Sequence, residues 1–319
     1  MRNEIKLSSY AKINLSIDVG SVAADGMHPV DMIMQQLLFH DDVTVWFAEN
    51  PELIEPEIKL TTNKPFLPTD ERNLAYRAAQ LISEYAIENE LKDRDSLRGT
   101  IYIDINKKIP VAAGLAGGSG NAAAVLHALN TIWNLKLSLK QLCSLGEKMG
   151  SDIPFCLVGQ ARANYLLPKK IRKDRMATSC ARATGTGTRL QPLKPLRRAI
   201  VIAKPPISVS TKEVYMGIDS CDIKERPDND RLAKDLCGGK EALVFDNMIN
   251  VLENYTLSAY EEVGALKEFM SGIDESREVL MSGSGPTVFG IYDSMDDAKS
   301  ACEKIRKKGY EAYWTKTTK

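Results

Sequence analysis

The chain of 319 residues is long enough to build two domains, each with its own hydrophobic core. Its 42 Lys and Arg residues balance 42 Asp and Glu residues, so the formal net charge of zero gives no support to a general nucleic-acid-binding or membrane-binding role. Hydrophobic residues at 44% and charged residues at 26% are typical of a globular protein.

The first part of the chain alternates strand-like and helix-like segments. Alternating or β-branched apolar positions predict strands over residues 5–19 and 41–48. Apolar residues at helical intervals predict a helix within residues 70–90. The alternating isoleucines of residues 99–110 predict a further strand, which Pro110 closes.

The remainder continues this alternation. A helix is predicted from Ala122 to Trp133, where apolar residues recur at helical intervals. Residues 197–205 predict a short buried strand that opens a second domain. Residues 277–317 predict a strand, a tight turn, a strand, a helix and a strand, in that order.

Several signals bear on where the protein works. The N-terminal stretch "MRNEIKLSSYAKINLSIDVG" contains no apolar core of the signal-peptide type, and no apolar run approaches the roughly 20 residues that span a bilayer. The six cysteines form no C-x-x-C pair. We therefore expect a cytoplasmic protein without a nucleic-acid or membrane partner, and both a monomer and a homodimer stay open.

A basic segment covers residues of about 164–180, with five Lys and Arg residues against one Asp. Runs of charge are most often solvated surface, so a surface loop is the first interpretation. A contact with phosphates or with an acidic partner is the alternative.

A glycine-rich stretch, "IPVAAGLAGGSGNAAA", lies between the strand that ends near Pro110 and the following helix. Four of the seven residues from Gly114 to Gly120 are glycine. Glycines let a backbone approach an anion closely, and the helix N-terminus adds partial positive charge. A phosphate site is therefore predicted, although neither the Walker spacing nor the G-x-G-x-x-G spacing is present. A tight turn that needs positive φ is the alternative.

This stretch resembles the P-x-x-x-G-L-x-x-S-[SG]-x-A-A loop of the galactokinase, homoserine kinase, mevalonate kinase and phosphomevalonate kinase (GHMP) superfamily. "AKINLSIDV", "ADGMHPVDMIMQQL", "GSDIPFCLVG" and "MSGSGPTVFGIY" follow the order of a branch of that superfamily whose acceptor is a cytidine diphosphate-linked methylerythritol of the non-mevalonate isoprenoid pathway. The resemblance implies a two-domain α+β GHMP kinase fold. Residues 1–196 would form a ribosomal protein S5 domain 2-like domain that carries the basic insertion, and residues 197–319 a ferredoxin-like domain.

The resemblance also implies the chemistry, which is transfer of a phosphoryl group from ATP with Mg²⁺ to a small-molecule alcohol. Lys12 and Asp152 match the catalytic positions. Asp152 would act as the base, and Lys12 would stabilise charge on the transferred group. The alternatives from the residues alone are a helix-capping Asp152 and a Lys12 that faces water at a strand edge.

The resemblance assigns the remaining site residues to ligands. Asn14, Met27 and His28 match positions that bind the cytidine-bearing substrate, with both ring nitrogens of His28 on the cytosine edge. Asn73 and a loop match positions near ATP, and Ser119 is the candidate magnesium ligand. The predicted loop residues are Pro110, Val111, Ala112, Ala113, Gly114, Leu115, Ala116, Gly117, Gly118, Ser119 and Gly120.

Three residues depart from the pattern of the superfamily. Met27 replaces an aromatic residue beside His28, Ala116 replaces a glycine, and Gly120 replaces the second of two serines. Met27 favours a related kinase that acts on a different small alcohol or phosphate. A ligand-sensing relative that binds nucleotide without turnover is a third hypothesis, and the presence of both Lys12 and Asp152 speaks against it.

Overall fold

The computed structural model describes residues 4–24 and 26–318. Its strands are β1 (Glu4–Val19), β2 (Val30–Glu49), β3 (Glu57–Thr62), β4 (Gly99–Asn106), β5 (Cys180–Gly185), β6 (Arg189–Pro192), β7 (Ala199–Lys204), β8 (Ser276–Met281), β9 (Val288–Tyr292) and β10 (Glu311–Lys316). Its α-helices are α1 (Leu74–Glu88), α2 (Gly117–Ile132), α3 (Leu139–Glu147), α4 (Ile153–Ala163), α5 (Lys169–Arg172), α6 (Thr211–Gly217), α7 (Asn229–Gly238), α8 (Glu241–Phe245), α9 (Glu253–Ala259), α10 (Glu261–Ser271) and α11 (Met295–Lys307).

The two longest strands, β1 and β2, pair with each other. The predicted strand over residues 5–19 is confirmed by β1, and the strand predicted over 41–48 is only the later part of β2. Residues 30–37 show no alternating pattern, because apolar residues lie on both faces and the polar Gln35 and Gln36 are buried as well, with only Asp31 half-buried. The substrate motif predicted at Met27 and His28 therefore stands just before a long strand.

The described residues form two compact units. The first unit comprises residues 4–11, 40–109 and 116–178. In it β2 pairs antiparallel with β4, and β4 pairs parallel with β3. Helix α2 packs against α1 and α4, and all of its residues from 120 to 130 are buried. A helix that is buried all round forms the core of its unit, so α2 holds a fixed position there.

The second unit comprises residues 12–24, 26–39, 110–115 and 179–318. Its four-stranded antiparallel sheet has the order β10-β7-β9-β8, and α10 and α11 pack against it. The predicted order of strand, turn, strand, helix and strand over residues 277–317 is confirmed. Strand β2 also pairs antiparallel with β5 in this unit, and β5 pairs with β6. Mainly antiparallel sheets with helices packed against them confirm the expected α+β class, and the four-stranded sheet with α10 and α11 confirms the ferredoxin-like C-terminal domain.

The basic segment is more ordered than a loop. It contains the single-turn helix α5, whose Ile171 is buried together with the preceding Leu167. Arg172 donates a hydrogen bond to the Leu167 carbonyl at 3.0 Å. Lys169 and Lys173 are exposed. The segment is therefore an anchored, solvated surface.

Across residues 4–24 and 26–318, none of the helices is both long and apolar enough to cross a bilayer.

His127 is a buried titratable group in the middle of α2. Its Nε2 lies 3.0 Å from the Leu157 carbonyl, so this nitrogen carries the proton and donates. Nδ1 is buried without a hydrogen-bond partner. Burial lowers the pKa of His127 to about 4, which keeps the native ring neutral.

This burial predicts a pH dependence of stability. In the unfolded chain the ring binds a proton below about pH 6.5, whereas the native ring does so only below about pH 4. The stabilisation is therefore fully present above about pH 6.5, and the free energy of unfolding should fall by up to about 1.4 kcal/mol per pH unit between these values.

Urea unfolding of the native chain and of His127→Gln between pH 7 and 4 measures this effect. The variant keeps an amide donor for the Leu157 carbonyl, and its free energy of unfolding should fall less steeply as the pH decreases. Equal slopes for the two proteins would contradict the assignment to His127.

Candidate active site

The predicted ATP loop begins as an irregular segment after β4 and ends inside α2. Residues 110–116 lie outside regular elements, whereas Gly117, Gly118, Ser119 and Gly120 form the first turn of α2. The helix therefore begins earlier than the predicted Ala122. Three of the four glycines are helical, so their small volume matters there more than their backbone freedom.

Every second residue from 112 to 116 in the irregular segment has a positive φ. Ala112 has φ 50°, Gly114 has φ 69° and Ala116 has φ 55°. An alanine in this left-handed region is strained by about 1–2 kcal/mol relative to a glycine. Ala116 stands at the N-cap of α2 and makes no side-chain capping bond. The departure at Ala116 thus stores strain directly before the helix N-terminus.

The helical glycines differ in what surrounds them. A Cβ on Gly117 would lie 2.6 Å from Lys107 Nζ, and a Cβ on Gly120 would lie 2.6 Å from Ser9 Oγ. A Cβ on Gly118 would meet only Leu74, at an ordinary 3.6 Å. A side chain at Gly117 or Gly120 would therefore have to displace the Lys107 ammonium or the Ser9 hydroxyl, whereas Gly118 leaves the backbone of the first turn open to a ligand.

Asn73 lies in the same unit, at the start of α1. Its side chain accepts a hydrogen bond from the Ala75 amide at 3.0 Å and donates one to the Pro68 carbonyl at 2.8 Å. It therefore caps α1, whose first residue Leu74 faces Gly118. Asn73 and the helical end of the loop are thus brought together through Leu74.

In the second unit Gly114 packs against the turn between β8 and β9. A Cβ on Gly114 would clash with the Ser282 carbonyl oxygen. Ser282 Oγ donates a hydrogen bond to the Gly114 carbonyl at 3.1 Å. Gly283, which has φ 62°, lies against the same carbonyl. The small residues of "SGSGPT" permit this close approach of two backbones.

Lys12 lies in β1 with only 4% of its surface exposed, which rules out the alternative of a lysine that faces water. Its Nζ donates a hydrogen bond to Asn14 Oδ1 at 2.6 Å, and its amide donates to the Leu115 carbonyl at 3.1 Å. Nζ is also 3.8 Å from the position of a Cβ on Gly283. The second unit therefore brings together Lys12, Asn14 and residues 114–115 of the loop.

Asn14 is fully buried beside Lys12. Its amide nitrogen lies 3.2 Å from the thioether sulfur of Met32, and its oxygen faces Lys12. Asn14 therefore fixes the ammonium of Lys12 in addition to any role toward a substrate.

Asp152 belongs to the first unit and stands at the N-cap of α4, where φ is −79° and ψ is −17°. Its side chain makes no capping hydrogen bond, so the capping alternative is wrong for the carboxylate. Helix α4 is tied to the loop end by Gln160, whose Nε2 donates to the Gly120 carbonyl at 2.7 Å. Asp152 therefore begins a helix whose position is coupled to the first turn of α2.

His28 lies in the second unit, after the residue 25 position that falls outside the described residues. Its Nδ1 is 2.9 Å from the Gly20 carbonyl, and its Nε2 is 3.5 Å from Asp219 Oδ2. A carbonyl oxygen only accepts, so Nδ1 carries a proton for Gly20. Both ring nitrogens therefore have protein neighbours in this structure, and contact of both with a cytosine stays a prediction. Met27 is 55% exposed.

The structure adds an aromatic neighbour that the sequence did not indicate. The Tyr215 ring lies 5.9 Å from the His28 ring, tilted by 54°. Helix α6, which carries Tyr215, is joined to the turn after β8 by a 2.9 Å contact between the hydroxyls of Thr211 and Ser284. No local pattern links residue 28 with residue 215, so only the fold could reveal this pair.

In the part of the chain that the structure describes, no group of three or more His, Cys, Asp and Glu side chains could hold a metal ion. Ser119 is half-buried in the first turn of α2. Mg²⁺ in phosphoryl-transfer sites is held by one or two carboxylates and by the substrate phosphates, so Ser119 as a magnesium ligand stays a prediction.

Comparison with known proteins gives the relatives of this chain. A model of the N-terminal domain of GHMP kinases matches residues 73–160, and a model of the C-terminal domain matches residues 232–311. A 4-diphosphocytidyl-2-C-methyl-D-erythritol kinase of Clostridium botulinum (strain Alaska E43 / Type E3) is 39% identical over 312 residues, covering 98% of this chain and 99% of that protein. A protein of the same name from Alkaliphilus metalliredigens (strain QYMF) is 43% identical over 304 residues, covering 95% and 92%.

Solved structures agree with these relatives. A crystal structure of 4-(cytidine 5'-diphospho)-2C-methyl-D-erythritol kinase matches with a TM-score of 0.76 and 27% identity, covering 99% of this chain and 100% of the other. Homoserine kinase from Cytophaga hutchinsonii matches with a TM-score of 0.65 and 17% identity, covering 100% and 95%, which shows a shared fold.

The left-handed Ala116 leads to a test of loop strain. Ala116→Gly should raise the free energy of unfolding by about 1 kcal/mol, because glycine adopts positive φ without a clash. Ala265→Gly, at an exposed position inside α10, is the matched control and should lower it by about 1 kcal/mol. Urea unfolding of both variants measures the difference. A destabilised Ala116→Gly would show that residue 116 is not strained.

Proposed function

The chain belongs to the 4-diphosphocytidyl-2-C-methyl-D-erythritol kinase family of the GHMP kinases, and from this membership we propose that it transfers the γ-phosphate of ATP to the 2-hydroxyl of 4-diphosphocytidyl-2-C-methyl-D-erythritol. This reaction belongs to the non-mevalonate route to isoprenoid precursors. Identity of 39–43% to proteins of that name along nearly the whole chain carries the proposal.

We assign the phosphates of ATP to the helical end of the loop. Within the first turn of α2, the amides of Gly117, Gly118 and Ser119 precede the first helical hydrogen bond, which Gly120 donates to the Ala116 carbonyl at 2.8 Å. The aligned peptide dipoles of the 16 residues of α2 favour an anion at this end. Gly118 leaves this turn open. Mg²⁺, for which Ser119 is the candidate ligand, would neutralise phosphate charge when bound.

Phosphoryl transfer requires positioning and charge neutralisation more than covalent help from the protein. Asp152 is proposed to accept the proton of the attacking hydroxyl. Lys12, whose ammonium is buried and held by Asn14, is proposed to stabilise negative charge on the transferred group. A buried ammonium acts strongly because little water screens it.

The cytidine end of the acceptor is assigned to Met27 and His28, with Tyr215 as an additional neighbour. Nε2 of His28 can exchange a hydrogen bond with a base edge, while the Gly20 carbonyl fixes the ring. The exposed thioether of Met27 and the ring of Tyr215 can contact the face of a base.

We also propose the two-domain division at residues 196 and 197. The two family models support it, because they match residues 73–160 and 232–311 on opposite sides of this boundary. A cytoplasmic location, and the choice between a monomer and a homodimer, stay predictions from the sequence.

Replacement of the proposed base tests the reaction. Asp152→Asn should lower kcat by about 10³-fold, since general-base catalysis contributes about 10²–10⁴-fold. Its affinity for ATP should stay close to that of the native chain, because the loop amides are unchanged. Coupled measurement of ADP release and calorimetry with ATP give the two quantities.

Asp228→Asn is the matched control. Asp228 caps α7 through the Arg231 amide, a bond that asparagine retains, so turnover should not change. Full activity in Asp152→Asn would remove Asp152 from the mechanism, and absence of turnover in the native protein would contradict the reaction itself.

Met27 raises the second candidate, a kinase of this fold with another small alcohol or phosphate as its acceptor. If the acceptor carries cytidine, Met27→Tyr should lower its KM by about 3- to 10-fold, as an aromatic contact is worth about 0.5–1.5 kcal/mol. Ile54→Tyr, at an exposed site in the first unit, should leave KM unchanged. Failure of CMP and CDP to compete for the acceptor site would favour the second candidate.

A further inference from the structure

The carboxylate of Asp41, in β2 of the first unit, is completely buried. It accepts a 2.5 Å hydrogen bond from Lys107 Nζ. Its other oxygen accepts from the backbone amides of Lys108 and Ile109, at 2.7 and 2.8 Å. Asp41 therefore holds the three residues that directly precede the loop.

Asp41 also reaches the residue that follows the loop. With its amide nitrogen turned toward acceptors, Asn121 of α2 lies 3.0 Å from Asp41 Oδ2, 2.8 Å from Ser9 Oγ and 3.2 Å from the Gly117 carbonyl. Lys107 Nζ packs where a side chain of Gly117 would stand. One carboxylate thus connects the entrance of the loop at Ile109 with its exit in the first turn of α2.

We propose that Asp41 is the positioning residue of the ATP loop, setting the relative places of Ile109 and Gly117 through Lys107 and Asn121. Asp41 touches neither substrate nor phosphate in this proposal. The inference rests on the proposed function only in taking residues 110–120 as the ATP phosphate site.

The energetic reason is preorganisation. Left-handed residues at Ala112 and Ala116 keep their strained conformation only where the surrounding structure holds them. Ser282 and the Lys12 amide hold the middle of the segment, and the bonds of Asp41 hold the residues at its two ends. If the ends were free, ATP would have to order the loop on binding and would bind more weakly. An acceptor that does not contact the loop would bind unchanged.

The Lys107 ammonium can be buried in its charged form because it is paired with Asp41. Burial lowers the pKa of Lys107, and contact with Asp41 opposes this by favouring the charged form. Removal of the carboxylate would leave a buried ammonium without its counter-charge, directly beside Gly117. The lysine would then move or lose its proton, and the exit of the loop would move with it.

Two variants test the proposal. Asp41→Asn keeps the volume and the acceptor for Ile109 but removes the charge. Asn121→Ala removes the amide that joins Asp41 to the Gly117 carbonyl, together with its contact to Ser9. We expect the Kd for an unreactive ATP analogue with Mg²⁺, measured by calorimetry, to rise at least 10-fold in Asp41→Asn and about 3-fold in Asn121→Ala. KM for ATP should rise with it, and KM for the cytidine acceptor should stay within 2-fold.

Asn130→Ala is the control for lost stability. Asn130 makes two buried hydrogen bonds to Leu137 near the far end of α2, so its loss should lower the urea midpoint without changing the Kd for the analogue. If Asp41→Asn does not fold, Asn121→Ala decides the matter alone. Native ATP affinity in Asn121→Ala, or equal losses in Asn121→Ala and Asn130→Ala, would overturn the proposal. If the native protein binds the analogue but phosphorylates no cytidine acceptor, the proposed function is contradicted. The affinities of the variants for the ATP analogue would still decide the role of Asp41.

Discussion

The buried carboxylate of Asp41 is the constraint on which the proposed ATP loop depends. It fixes the amides at the entrance of the loop and, through Asn121, the first turn of α2 at its exit. A charge without solvent is stable only when it is paired and fully hydrogen-bonded, and Lys107 with its neighbours provides this for Asp41. The same arrangement explains why residue 117 is a glycine, since any side chain there would displace the ammonium.

A second buried charge organises the other unit. Lys12 is held by Asn14 through its ammonium and by Leu115 through its backbone. The Ser282 turn lies against Gly114, so the small residues of two distant motifs meet at one place. The small residues of the glycine-rich loop and of the Ser282 turn, which are far apart along the chain, therefore let two backbones approach closely beside Lys12.

Much of this molecule is predictable from its residues. β1, α1 and the C-terminal order of strands and helix follow from periodicity, and the motifs identify the family without any coordinates. The early part of β2 is missed because its buried residues do not alternate between apolar and polar. The start of α2 is missed because three of its first four residues are glycine, which has a low helix propensity. Asp41 and Tyr215 carry no local signal, since their partners lie tens to nearly two hundred residues away. Long-range pairing of this kind is a property of the fold.

The most direct test of the central claim follows the phosphorus atom rather than ADP. Phosphorus-31 spectra of the native protein with ATP, Mg²⁺ and 4-diphosphocytidyl-2-C-methyl-D-erythritol should show the γ signal of ATP disappearing while a phosphomonoester on the 2-hydroxyl of the acceptor appears in equal amount. Inorganic phosphate as the sole new signal, or an acceptor that stays unmodified while ATP is consumed, would contradict the assignment of this chain as the kinase of that alcohol.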